Sequence, residues 1–246
     1  MEYNREYNQR LDKERSYAGE SEEGRRSAAR AKRSRPADGK APVTTLYLTR
    51  HGQTLWNQEG RLQGRMDSPL TEKGELHARW LAESLADKPL DVIYSSSSPR
   101  AVRTAEILRG GRMIEIRTDD ELREIHLGGW EGQRADEIRA AEPDAYDTFW
   151  SRPHLYEPAD NGESFVQLGN RVVPAIERIL NENHGRSVLV VTHAASLNLL
   201  MTAFRQRPIS EIWQPPVLES TSLCKIVYDA DGMRVELHGD TSHYRE

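Results

Sequence analysis

Four stretches of the chain hold residue types suited to chemistry on a phosphate group. Arg50, His51 and Gly52 follow directly on the apolar run Thr45–Thr49. A buried strand that ends in a cation, an imidazole and a glycine is a poor choice for stability alone. Arg and His are costly in a core, and Gly at a strand end marks a sharp turn or a close backbone approach. For phosphate chemistry the same trio offers charged donors, a ring nitrogen able to act as nucleophile and a backbone that can crowd a ligand. Arg100 follows Ser95–Ser98 near the start of a predicted helix, His193 follows the apolar run Val188–Thr192, and Glu124 lies in Leu122-Arg123-Glu124-Ile125-His126. Each alone has an ordinary reading: a hydrogen-bonding strand-end histidine, a solvated glutamate, a surface arginine. Together, two histidines, two arginines and a carboxylate can bind a phosphate, attack its phosphorus and move a proton. A metal site made of His51, His193 and Glu124 is the rival reading. Arg50 and Arg100 would repel a divalent cation from that pocket, so neither a metal nor another cofactor is expected.

The elements that must position these groups read as an α/β fold. Strands are predicted at Thr45–Thr49, Asp91–Ser95, Met113–Arg117, Ser187–Thr192, Leu223–Tyr228 and Val235–Leu237. Thr71 can cap a helix with Leu76, Trp80, Leu81 and Leu85 on one face; Pro99–Leu108 begins with proline in the first turn. A long helix from Glu163–Ser164 should bury Phe165, Leu168, Val172, Ile176 and Ile179, with Pro174 as a candidate kink, and Ala194–Phe204 forms another. Alternating strands and helices predict a three-layer, doubly wound, mostly parallel sheet with helices on both faces. The last two strands can close an edge hairpin across Asp231-Gly232. Residues 120–165 read as an irregular excursion above the sheet. Ligands gather at the carboxyl ends of such strands, where Arg50-His51, Arg100 and His193 all fall.

Composition bounds the rest. The chain has 246 residues, 37% of them hydrophobic, and a net charge of −5. Residues 1–42 are dense in Glu, Arg, Ser and Asn and nearly lack aliphatic side chains, so a disordered or weakly structured charged extension is expected there, with a single domain over 43–246. The acidic balance argues against nucleic acid in general. The exception is the basic segment 25–35, read as a solvated tail, with weak binding to RNA or to an anionic membrane surface as the alternative. Cys224 is the sole cysteine, and neither a membrane-spanning run nor a secretory leader is evident, so a cytoplasmic location is expected and no membrane partner.

With their flanks, the four stretches resemble the histidine phosphatase superfamily, which has the phosphoglycerate-mutase-like fold. The first runs Thr49-Arg50-His51-Gly52-Gln53-Thr54-Leu55-Trp56-Asn57, then Arg61-Leu62-Gln63-Gly64 and Asp67 to Gly74. Ser97 to Glu106, Leu122 to Gly132, Gly162-Glu163-Ser164 and Val191-Thr192-His193 complete the set, so the resemblance spans 44–243 in order. Arg123–Gly132 and Phe149–Pro158 look most like the broad-specificity phosphatase branch. The resemblance implies that His51 is the phosphorylated nucleophile and that Arg50, Arg100 and His193 hold the phosphoryl oxygens. It makes Glu124 the proton donor and then the base, and places Asn57, Gln63 and Gly64 on the phosphate or substrate side of the pocket. The implied activity is hydrolysis of small phosphate monoesters, with a cofactor-dependent phosphoglycerate mutase as the alternative. Only 23 residues separate Arg100 from Glu124, fewer than in such mutases, which favours water as acceptor. Ala194 stands where the family usually has glycine, and a catalytically weak, phosphate-binding regulatory protein is the reading that follows if its methyl group crowds the phosphate. Aromatic residues of the excursion, Trp130, Phe149, Trp150 and Tyr156, with Leu155, either roof the pocket or fill the core. Finally, Val43 is a residue that an alternative start codon would encode, so residues 1–42 are read either as functional or as sequence ahead of the true start; an intact mass beginning at Met1 would rule out the latter.

Overall fold

The computed structural model describes residues 42–245; residues 1–41, which hold the basic segment 25–35 and nearly all of the expected extension, lie outside the described residues. Strand β1 (Thr44–Arg50) leads through a short helix α1 (Leu55–Glu59) into α2 (Glu72–Ser84), and β2 (Val92–Ser96) into α3 (Pro99–Arg109) and β3 (Glu115–Asp119). An excursion carrying α4 (Ala135–Ala141) and α5 (Pro143–Ser151) comes next. Then follow α6 (Phe165–Glu182), β4 (Ser187–Thr192), α7 (Ala194–Phe204) and the strands β5 (Leu223–Asp229) and β6 (Gly232–Asp240). The sheet order is β3-β2-β4-β1-β5-β6. The four central and left-hand strands run parallel. β5 runs antiparallel to β1, and β6 pairs back on β5 with Asp229 opposite Gly232, closing the expected edge hairpin.

Side chains alternate across a strand, so sequence neighbours enter different layers. Tyr47, Ile93, Leu189 and Val191 pack with Leu81 and Leu85 of the α2 segment and with Ala101, Ala105 and Leu108 of α3. From the opposite face of β2, the Tyr94 hydroxyl donates to Glu182 and accepts from Asn183 at the end of α6, both at 3.1 Å. That is the three-layer arrangement expected. On α6 the residues Phe165, Leu168, Val172, Ile176 and Ile179 are all buried, as their spacing predicts, and Pro174 stays inside one continuous helix. Each such side chain contributes about 1.5–3 kcal/mol by leaving water.

Three expectations need correction. The predicted strand Met113–Arg117 starts later, at Glu115, and Met113 is fully exposed. On α2 the buried face is Gly74, Ala78 and Leu81, followed by Leu85, while Leu76 is exposed. The cause is backbone contact: a Cβ on Gly74 would lie 2.1 Å from the Gln53 carbonyl oxygen, so the small residues must face β1. The excursion is also more helical than its composition suggests. Pro143 starts α5, where a missing N–H costs nothing. Among the described residues no helix is long and apolar enough to cross a membrane.

Candidate active site

The β1–β4 register places the two histidines. Arg50 lies opposite Thr192, so the next residue of each strand, His51 and His193, leaves the sheet at the same level. The His51 N–H donates to the Thr192 carbonyl at 2.9 Å, and the rings meet edge to face with centroids 5.1 Å apart. The His51 Nδ1–H donates to its neighbour Gly52's carbonyl at 2.8 Å, since a carbonyl can only accept. The lone pair is thereby left on Nε2, which accepts a 3.3 Å bond from Arg100 Nε–H. Burial holds the His51 pKa well below 6.5, and the charges of Arg100 and Arg50 push it further down. His193 is held down by burial and then by Arg100. Both rings are therefore neutral, the state a nitrogen nucleophile requires. His193 Nε2 lies 2.7 Å from Ser96 Oγ on the adjoining strand β2, while its Nδ1 is buried without a partner.

Gly52 makes the close backbone approach read from the sequence, but toward protein. A Cβ there would lie 2.8 Å from the Gly74 carbonyl oxygen, so its bareness accommodates the α2 N-terminus rather than a ligand. Its N–H donates to Thr104 on α3 at 3.0 Å, which ties the backbone beside His51 to the helix carrying Arg100.

The two guanidiniums are held very differently. Arg100 is 1% exposed and donates to the carbonyls of Gly64 at 2.8 Å and Met66 at 2.6 Å, to Asp67 at 3.0 Å, and to His51. Gly64 can turn its carbonyl inward because its φ is +51°, in the left-handed region. Arg50 has one such tie, to the Leu218 carbonyl at 3.2 Å, and its buried Nε has no partner. Its other donors are open to an anion.

Glu124 is 8% exposed and held at the N-terminus of α7. Its Oε1 accepts from the Ile125 and Ser196 N–H groups at 2.9 and 3.1 Å and from Ser196 Oγ at 3.3 Å; its Oε2 accepts only from Ala195 N–H, at 3.0 Å. A carboxylate there also meets the positive end of the helix.

A cavity of about 360 Å³ joins these groups. Arg50, His51, Asn57, Gln63, Gly64, Arg100 and Glu124, all singled out from the sequence, line it, as does Ala194. His193 does not; it stands fully buried behind His51. Ala194 is the first residue of α7, with a helical backbone that alanine adopts readily. Asn57 also holds α1 in place, its Oδ1 accepting from Thr54 N–H and Oγ–H at 3.1 Å each. Of Trp130, Phe149, Trp150, Leu155 and Tyr156, Phe149 and Trp150 reach the cavity. Trp130 and Tyr156 are core, and Leu155 is exposed. Leu62, Ile125, Leu127, Trp213, Pro216, Val217 and Leu218 make the apolar part of the remaining wall, and Arg61, Ala195 and Asn198 complete it. Sequence reasoning missed Trp213, the Asp67 counter-ion, Ser96 and the Ser196 donors. Asp67 and Ser96 had a signal, their places in the stretches quoted above; Trp213 and Ser196 had none. Among the described residues Glu124 is the only acid on the cavity wall. Among the described residues no group of three or more metal-ligating side chains occurs.

The sequence matches the histidine phosphatase superfamily (branch 1) over residues 46–241. Among solved structures, YhfR of Bacillus stearothermophilus is 50% identical with a TM-score of 0.79, covering 81% of this chain and 98% of that one. A phosphoglycerate mutase of Bacillus anthracis is 30% identical with a TM-score of 0.72, covering 83% and 96%. A metal-independent phosphoserine phosphatase of Arabidopsis thaliana is 37% identical over 67% of this chain and 70% of its own length. The chain belongs to the histidine phosphatase superfamily.

Proposed function

We propose that this histidine phosphatase hydrolyses small phosphate monoesters through a phosphohistidine at His51, with broad tolerance for the alcohol. The observation that carries the reading is the His51 ring: neutral, with Nδ1–H pinned to Gly52 and the Nε2 lone pair turned toward a buried guanidinium. A monoester's oxygens repel nucleophiles, and Arg50 and Arg100 offset that charge. On binding, Arg100 Nε–H passes from His51 Nε2 to a phosphoryl oxygen, which frees the lone pair. Nε2 then attacks phosphorus in line as the ester P–O bond breaks, and Glu124 gives its proton to the departing oxygen. Water next attacks phosphohistidine while the Glu124 carboxylate takes its proton, releasing inorganic phosphate and neutral His51. His193, behind the nucleophile, has Nδ1 available for a phosphoryl oxygen.

The wall supports the broad specificity. Apolar side chains surround the leaving-group side, and such a wall discriminates weakly between alcohols. Arg61, the further cation there, is already engaged by Glu59 and the Gly132 carbonyl. A mutase would need to retain a second phosphorylated hydroxyl, and among the described residues that wall offers it no unengaged cation. The test is incubation with an aryl phosphate followed by trapping of an acid-labile phosphoprotein and assay of released phosphate. The wild type should form the adduct and release phosphate in step with the phenol; His51→Ala should do neither. Equal rates for the two proteins would overturn the enzymatic reading, and transfer to an added phosphoglycerate without phosphate release would favour the mutase.

A further inference from the structure

Arg171 lies on α6 and does not line the cavity, yet all five of its N–H donors are used. Nε and Nη2 grip the two Glu163 oxygens at 2.7 and 2.8 Å. Nη1 donates to the carbonyls of Glu121 and Arg123 at 2.7 and 2.8 Å, and the second Nη2 proton to the carbonyl of Glu124 at 2.9 Å. Glu163 in turn accepts from the His126 N–H at 3.2 Å. The segment 121–126 has no strand partner and only the end of a single 3-10 turn. One ion pair thus holds the backbone on both sides of Glu124, and Arg171 donates to none of the groups on the phosphate side. Only a planar fork with five donors can make this set of bonds; a lysine has three.

We propose that Arg171, with Glu163 as its counter-ion, is a positioning residue that sets the Glu124 carboxyl group within reach of the leaving-group oxygen. This rests on the assignment of Glu124 as proton carrier. Proton transfer demands hydrogen-bond reach, and displacement of the acid should slow only those steps that need the proton. In the first half-reaction the Nε2–P bond forms and the P–O bond breaks with its electron pair going to oxygen. A phenolate leaving oxygen must take the Glu124 proton, whereas a dinitrophenolate can leave without it.

The test is the phosphorylation rate of His51 by rapid quench, with phenyl phosphate and with dinitrophenyl phosphate. Arg171→Met should slow the reaction of phenyl phosphate by about 30–100-fold. With dinitrophenyl phosphate it should lose less than about 3-fold, since general-acid help is not needed there. Arg171→Lys should fall between wild type and Arg171→Met, and Glu163→Gln should show the same selectivity more weakly. Labelling by dinitrophenyl phosphate also reports that the phosphate side is folded; if Arg171→Met fails to label, the Lys and Gln variants decide by the same ratio. Equal losses on both substrates, or no loss on either, would overturn the positioning role. A wild-type protein that forms no phosphohistidine from either ester would instead overturn the hydrolase reading.

Discussion

His51 and Glu124 face one cavity but are placed there by different physics. His51 is carried by β1, and its neighbours are settled by strand register: Arg50 opposite Thr192, His51 N–H on the Thr192 carbonyl, Ser96 beside His193. Glu124 has no strand partner. Its backbone is tied by Arg171 and its carboxyl group by the first N–H groups of α7. A register moves as a block and is secured along the whole length of the paired strands. A side-chain tether can be cut by one substitution, so the acid end should be the more fragile in function and the strand end the more costly in stability.

The largest expected effect breaks the strand end chemically. His51→Ala should reduce turnover by about 10³-fold or more, as removal of a covalent nucleophile does elsewhere, without loss of the fold. Steady-state hydrolysis together with circular dichroism checks this. Arg100→Met tests how far the strand end is a matter of stability. It leaves Asp67 and the carbonyls of Gly64 and Met66 without their buried donor, and unfolding in urea should show a loss of about 2–4 kcal/mol.

Acid should weaken the strand end next. His51 and His193 have folded pKa values depressed below 6.5, so below that value the unfolded chain binds more protons than the folded one. Stability is complete above about 6.5 and falls as the pH drops through the window below it. His243, held at about 4 by burial, adds to the same slope. Urea midpoints above and below 6.5 measure it, and His51→Gln should make the slope shallower. The smallest effect lies at the outer wall, where Val217 is 72% exposed. Val217→Ser should leave stability unchanged and raise KM for aryl phosphates by about 2–5-fold, with little change for a short alkyl phosphate.

Much of this was legible in the chain because it is local. The apolar runs of β1 and β4 end in polar residues, and a parallel sheet gathers such ends at one rim. Pro99 announced α3, and the spacing from Phe165 to Ile179 announced the buried face of α6. What escaped was contact between segments far apart. Leu76 looked like a buried position until Gly74 had to meet the backbone at Gln53. Gly52 read as backbone that can crowd a ligand, and the backbone it crowds is that of Gly74. Helices α4 and α5 are only seven and nine residues long, so their periodicity is faint, and Trp213 reaches the cavity from a loop with no pattern of its own.

By itself the sequence determined the layered sheet, the strand-end placement of Arg50, His51 and His193, and the identity of Arg100 and Glu124 as their complement. The first two follow from periodicity and from residue types that have little other reason to end a buried strand; the third is what the family resemblance implies. Only the tertiary structure decided that Arg100 is fully engaged while Arg50 is open, that His193 stands behind His51, and that Arg171 holds the backbone at Glu124. Those facts depend on backbone carbonyls, which every residue carries, and the direction of a carbonyl is set by the folded path of the chain.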